Sequence, residues 1–140
     1  MQDCIFCRIL AGKIPSVRLL ETPTVVAMLD IAPVHYGHTL VIPGVHHPNL
    51  LELPDELWKD MGQVCRQVAQ AQMAALGADG FNIAMNNFEA ADQEVFHAHL
   101  HVIPRYDGDG VRYFPQGSYK PGEMEQTGQK LRGALENQGK

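Results

Sequence analysis

The stretch Phe96-His97-Ala98-His99-Leu100-His101-Val102-Ile103-Pro104 restricts the possible folds of this chain more than any other. Histidines stand at every second position, and the residues between them are apolar, which is the period of a β-strand. Successive side chains of a strand point to opposite faces. The spacing therefore predicts a strand over residues 95–103 with His97, His99 and His101 on one face and Phe96, Ala98, Leu100 and Val102 buried in a core. At a rise of roughly 3.3 Å per residue the outer histidines stand about 13 Å apart, far enough to serve different sites. Three imidazoles in register forgo the β-propensity that Thr or Val would supply, which argues for a face with a chemical task.

A chain of 140 residues, 45% of them apolar, has the material for one domain around one core. No apolar run approaches the ~20 residues that span a bilayer. The first residues hold Asp3 and two cysteines where a signal peptide would have a basic start and an apolar run. The expectation is a cytoplasmic protein with no membrane association. A net charge of −5 and the lack of a Lys/Arg block argue against nucleic acid as a partner. A phosphorylated small molecule remains compatible, because a few local donors hold one phosphate. Three cysteines without an export signal do not suggest a disulfide framework. Cys4 and Cys7 have the spacing at which two thiolates grip one tetrahedral ion, a pair that zinc sites complete with histidines; a redox pair or two small apolar residues are the other readings of the same motif.

Residues 4–11, followed by Gly12, read as a short helix stopped by a glycine. Residues 17–21 and 25–29 are β-rich and flank Thr22-Pro23-Thr24, which predicts a hairpin. A turn-rich segment leads from Asp30 to Gly37, and His38 opens a third strand that runs to Pro43. From Pro54 to Leu76 apolar residues recur at three- and four-residue intervals, predicting the main helix, with Pro54 as its first residue and Cys65 on its apolar face as a core thiol. A fourth strand is expected over 81–85 and a polar loop over 86–92. Residues 107–140 read as an irregular tail with a weak terminal helix over 123–137. Hairpin strands with one long helix between the third and fourth give an α+β fold on an antiparallel sheet.

The blocks Cys4-Ile5-Phe6-Cys7-Arg8-Ile9, Ile14-Pro15, Leu29-Asp30-Ile31, Gly37-His38-Thr39-Leu40-Val41-Ile42-Pro43, Asn86 and His97-Ala98-His99-Leu100-His101-Val102-Ile103 stand in the order found in the histidine triad family. The chain resembles that family up to about Tyr106, and most resembles its small nucleotide-binding hydrolases with an N-terminal zinc pair. The resemblance implies a five-stranded antiparallel sheet with two principal helices, one domain over 1–140 with its core at about 4–106, and a homodimer. It implies attack on the α-phosphorus of a purine nucleoside monophosphate conjugate, with His99 as the nucleophile that forms a nucleotidyl-imidazole and His101 and His38 as phosphate-site partners. It further implies that Asp30 holds ribose hydroxyls, that Phe6, Ile9 and Ile31 form an apolar slot for the base, and that Asn86 and Gln93 contact the nucleotide. Structural zinc on Cys4, Cys7, His46 and His97 is the implied metal, with no organic cofactor. Without the resemblance, Phe6, Ile9 and Ile31 read as core, Gln93 as a solvated loop amide, Asn87 as a turn residue, and His35 and His47 as surface residues without a role.

Where the family shows Gly-Gln-Ser or Gly-Gln-Thr before the triad, this chain has Asp92-Gln93-Glu94. A hydroxyl able to donate to a bridging atom is thereby replaced by a carboxylate, so the expectation is an altered choice among amine, acyl, phosphate-chain or sugar-phosphate leaving groups. Two other readings compete: a nucleotide-binding sensor or scaffold with incidental hydrolysis, and a metalloenzyme in which His97 and His99 share a catalytic zinc.

Overall fold

The computed structural model describes residues 3–112 and 114–139. Its elements in chain order are α1 (Ile5–Leu10), β1 (Arg18–Glu21), β2 (Val25–Leu29), β3 (Thr39–Pro43), α2 (Asp55–Leu76), β4 (Gly80–Ala84), β5 (Leu100–Arg105) and α3 (Glu123–Asn137). Short 3-10 turns lie at Leu50–Glu52 and Glu89–Ala91. The five strands form one antiparallel sheet in the order β1-β2-β3-β5-β4, the α+β architecture that the sequence predicts. The chain divides into two compact units, Met1–Asp109 and Gly110–Lys140. The second contains α3, none of whose residues is buried.

Alternation along the strands splits the first unit's apolar residues between two layers. Val25, Ala27, Val41, Leu100 and Val102 face α2, where Met61, Val64, Cys65, Val68 and Ala69 complete the larger core. Met28, Leu40 and Ile42 face the other way and are covered by Phe6 and Ile9 of α1. Burial raises the Cys65 thiol to about 12, which fixes it as an inert core group. Pro54 is the N-cap of α2 rather than its first helical residue, and Asp55 and Glu56 occupy the positive end. Gln72 of α2 donates to the carbonyls of Gly37 (3.0 Å) and Val102 (2.9 Å), tying the helix to β5 and to the turn before β3. No helix among the described residues is long and apolar enough to cross a membrane.

The triad segment departs from the expected strand. The ladder begins at Leu100, so His97 and His99 precede β5 instead of lying within it. The cause is on the neighbouring strand. Leu100 pairs with Val41, which puts Ala98 level with Pro43, a residue with no N–H to donate. The Pro43 carbonyl is instead taken by the His97 side chain, and Ala98 N–H turns to the His47 carbonyl at 2.6 Å. Both faces are covered, so the histidine face is not an open one: His97 and His99 are buried beneath α1. Phe96, assigned to the core by alternation, is 50% exposed because the strand does not extend back to it.

Gly37 precedes His38 with φ +98°, a left-handed conformation that non-glycine residues adopt at a cost, and a Cβ there would meet Leu76 Cδ1. Gly37→Ala is expected to destabilise the first unit by about 1–2 kcal/mol, mostly from backbone strain because the leucine tip can swing away. Urea denaturation checks this; an unchanged midpoint would show that the turn relaxes.

Candidate functional site

Two side-chain clusters occupy the α1 face of the sheet. The first joins three separate pieces of chain. Cys4 is the N-cap of α1 and accepts from Cys7 N–H, so the short helix fixes the separation of the two sulfurs. His46 follows the end of β3, and His97 precedes β5. Cys4 Sγ lies 3.5 Å and Cys7 Sγ 3.6 Å from His97 Nδ1, Cys7 Sγ lies 3.4 Å from His46 Nδ1, and the two Nδ1 atoms are 3.2 Å apart. A tetrahedral ion at zinc–ligand lengths requires S–N edges of about 3.6 Å and an N–N edge of about 3.3 Å. The donor set and its edges therefore fit a four-coordinate divalent ion. His97 Nε2 donates to the Pro43 carbonyl at 2.9 Å, which leaves Nδ1 unprotonated toward the cluster, the arrangement by which a ligand imidazole is oriented. Burial lowers the His97 pKa to about 4, keeping the ring neutral, whereas burial and the adjacent Cys4 push the Cys7 thiol up.

The second cluster is a chain of imidazoles whose tautomers follow from their partners. His99 Nδ1–H donates to the His97 carbonyl at 2.8 Å. The lone pair is thereby left on Nε2, which takes no hydrogen bond among the described residues and is not one of their sealed polar atoms. Phe6 packs its edge on the His99 ring at 5.0 Å between centroids. Val34 N–H donates to His38 Nδ1 at 3.1 Å, so the His38 proton is on Nε2 and is donated to His101 Nδ1 at 2.9 Å. His101 in turn carries its proton on Nε2, and its ring centroid is 5.0 Å from that of His99. Asp30 Oδ2 lies 3.5 Å from His38 Nε2, while Oδ1 accepts from Ala32 N–H at 2.9 Å and starts the turn-rich loop. Burial pushes all three imidazoles below the usual histidine range, His101 to about 4, with the nearby Asp30 carboxylate opposing the shift. The result is a neutral ring with an available lone pair beside a neighbouring ring that presents N–H. Asp30, His38 and His101 lie close enough to share an ion, but the proton between the two rings and the Val34 N–H mark them as a hydrogen-bonded relay. His97 Nδ1 belongs to the cysteine cluster and His99 to neither group, so the geometry does not support a zinc shared by His97 and His99.

The remaining expected site residues are placed unevenly. Ile31 is 98% exposed beside Asp30, so the reading of it as core does not hold, whereas Phe6 and Ile9 are packed between α1 and the sheet. Asn86 is half-buried and donates to the Asp92 carbonyl at 3.3 Å. Gln93 is not a solvated amide but is buried. Its Nε2 donates to the carbonyls of Pro48 (2.6 Å) and Val95 (3.0 Å), and its Oε1 accepts from Phe88 N–H (2.7 Å), so the structure makes it the clasp of the 86–95 loop. Asn87 caps the neighbouring 3-10 turn by accepting from Leu50 N–H. Asp92 has φ +64°, which explains how a family glycine position tolerates it: Asp is among the few residues that enter this region readily. Phe88, half-exposed at φ +70°, is strained without any cue in its residue type. His35 is not an idle surface residue: it pairs with Asp109 at 3.0 Å and packs edge-on against Tyr106.

The pH dependence of stability follows from the buried relay. The folded state keeps His38 and His101 neutral, whereas the unfolded chain takes up their protons below about pH 6.5. The unfolded state then binds more protons, so stability falls as pH drops from about 6.5 toward 4. Urea midpoints across that range should decrease, and less steeply in a His38→Gln/His101→Asn double variant; equal slopes would show that other groups govern the loss.

Alternate histidines on the run into β5 thus divide between two clusters, in a chain whose fold and sequence match those of the histidine triad proteins. The chain belongs to that group, since the HIT domain family model matches residues 11–108. It is 43% identical over 128 residues to the protein hit of Bacillus subtilis, covering 89% of this chain and 88% of that one. It is 39% identical over 132 residues to the adenosine 5'-monophosphoramidase hnt1 of Schizosaccharomyces pombe, covering 92% of this chain and 96% of the relative. Among solved structures it resembles a zinc-bound histidine triad family protein from Mycobacterium smegmatis, with a TM-score of 0.77, 40% identity, and 97% and 95% of the two chains covered.

Proposed function

We propose that this protein is a nucleotidyl hydrolase or transferase that cleaves the α-phosphate bond of purine nucleoside monophosphate conjugates through a covalent intermediate on His99. The observation that carries the proposal is the His99 tautomer: Nδ1–H is committed to the His97 carbonyl, and Nε2 keeps its lone pair in a ring that burial holds neutral. Nε2 attacks the α-phosphorus and the leaving group departs with the bonding electrons. Water then displaces the imidazole and releases the nucleoside monophosphate. His101 Nε2–H, held in that tautomer by His38, donates to a non-bridging oxygen as charge builds there; a preorganised donor of this kind contributes about 3–4 kcal/mol to the transition state. Asp30 offers its carboxylate to the ribose hydroxyls, and the exposed Ile31 beside it gives the base an apolar surface.

We assign the first unit as the catalytic domain, since every residue named lies within it. Cys4, Cys7, His46 and His97 would hold zinc, whose contribution when bound is to pin α1 and the 44–47 turn to the segment before β5. The likeness to the zinc-bound mycobacterial protein supports this reading. A homodimer is the expected assembly, and the edge of β4, where Phe81 and Ile83 are exposed, is a strand edge able to pair with a second copy. The likeness to the fission-yeast phosphoramidase selects the first substrate to test. Steady release of AMP and ammonia from adenosine 5'-phosphoramidate supports the enzyme. Tight AMP binding without turnover of that substrate, acyl-adenylates or dinucleoside polyphosphates would support the sensor reading instead.

A further inference from the structure

The loop between β2 and β3 is closed at its base by Asp30 N–H donating to the His38 carbonyl at 2.9 Å. Near its middle, Val34 N–H is the donor that holds His38 Nδ1 unprotonated. The next residue is His35. Its own carbonyl accepts from His38 N–H at 3.0 Å, and its side chain reaches out of the loop to Asp109 Oδ2 at 3.0 Å. Asp109 is a fixed anchor: Arg105 grips it with Nε on Oδ2 (2.7 Å) and Nη2 on Oδ1 (2.8 Å), and Tyr106 N–H adds a third donor at 3.2 Å. Its side chain is only 8% exposed, unlike the partners of an ordinary surface ion pair. Arg105 ends β5, the strand that carries His101. The loop that orients His38 is thus moored to the strand of the ring that His38 serves.

We infer that His35 is a positioning residue: by tying the loop to Asp109 it holds Val34 N–H on His38 Nδ1 and so fixes the direction of the His38–His101 hydrogen bond. That bond has two chemically equivalent directions. With the proton on His38 Nε2, His101 accepts at Nδ1 and presents N–H at Nε2. Reversed, His101 donates from Nδ1 and turns a bare Nε2 outward, where it repels a phosphate oxygen. Val34 N–H selects the first direction, since a nitrogen that accepts a hydrogen bond cannot also carry the proton. Asp30 Oδ2 biases it the same way from 3.5 Å, and the His35 mooring keeps the Val34 peptide within reach. The catalytic consequence rests on the function proposed above; the consequence for the tautomers does not.

The test pairs His35→Phe, which keeps a ring against Tyr106 but has no donor, with His35→Gln, whose Nε2 can still reach Asp109. His35→Ala runs alongside in case the bulk of phenylalanine disturbs the fold. Long-range proton–nitrogen correlation spectra of the side chains read the tautomers directly. In the wild type and His35→Gln, His38 and His101 should each show the proton on Nε2 alone. In His35→Phe and His35→Ala, both rings should show mixed tautomers, with kcat down about tenfold and KM within about twofold, as expected when one donor to the transition state is lost part of the time. His35→Gln should recover most of the lost kcat. Unmixed Nε2–H tautomers in the two donorless variants overturn the inference, whether or not activity falls, as does His35→Gln behaving like His35→Phe. If no nucleotide conjugate is turned over by the wild type, the proposed function fails while the spectra still decide the role of His35.

Discussion

His99→Ala is expected to lower kcat on adenosine 5'-phosphoramidate by about 10^4-fold or more while leaving the Kd for AMP within about threefold. The asymmetry follows from the division of labour in the site. On the proposed reading Asp30 and Ile31, on the β2–β3 loop, bind whether or not the ring at 99 is present, whereas among the described residues His99 Nε2 is a buried imidazole nitrogen left with its lone pair unused. His99 is itself buried against Phe6, so the truncation leaves a cavity and costs stability as well, of the order of 1–3 kcal/mol. The assay therefore belongs at a temperature well below the variant's Tm. His99→Asn, which can keep the hydrogen bond to the His97 carbonyl, separates loss of the nucleophile from loss of packing. Turnover retained in both variants would remove the nucleophile from the mechanism.

The second large effect is on stability. Purified protein should carry one zinc per chain, and a strong chelator or the Cys4→Ser/Cys7→Ser double variant should lower Tm by about 10 °C or more. Metal-free, the cluster leaves two sulfurs and two imidazoles converging with Nδ1 atoms 3.2 Å apart, an arrangement that loses its rationale once nothing binds them all. The fold should survive, since the core between the sheet and α2 does not involve these residues. Activity measured at low temperature should fall far less than stability, because His99 depends on the backbone carbonyl of His97 and not on its ring. Stoichiometric zinc with an unaltered Tm after its removal would make the site incidental. Complete loss of activity in a still-folded metal-free protein would favour a catalytic metal.

The sheet and the long helix were legible because their periods are strong. Apolar residues at three- and four-residue spacing gave α2 nearly to the residue, and the hairpin and strand runs gave five strands in an antiparallel order. The triad strand was overextended because side-chain alternation continues after the backbone ladder stops, and the stop is set by Pro43 on a neighbour sixty residues earlier in the chain, roughly, a pairing that no local pattern encodes. The reading of Ile31 as core, made from its residue type alone, fails for a related reason: an isoleucine carries no mark of whether its turn faces inward or out. The amide of Gln93 was invisible as a clasp since all three of its partners are backbone groups. Phe88 occupies a left-handed conformation that usually announces itself as glycine. His35 lacked a partner in the sequence because Asp109 lies 74 residues away in an irregular stretch.

The most direct measurement is rapid quench in base of the enzyme turning over adenosine 5'-phosphoramidate, followed by peptide mass spectrometry with the sample kept out of acid until the peptides are analysed. One adenylyl group should be found on the peptide that contains the triad, with fragmentation placing it on His99, and the adduct should be acid-labile and stable to base as a phosphorus–imidazole bond is. Product formation at full rate with no adduct on any histidine, or with the adduct on His101 or His38, would contradict the account.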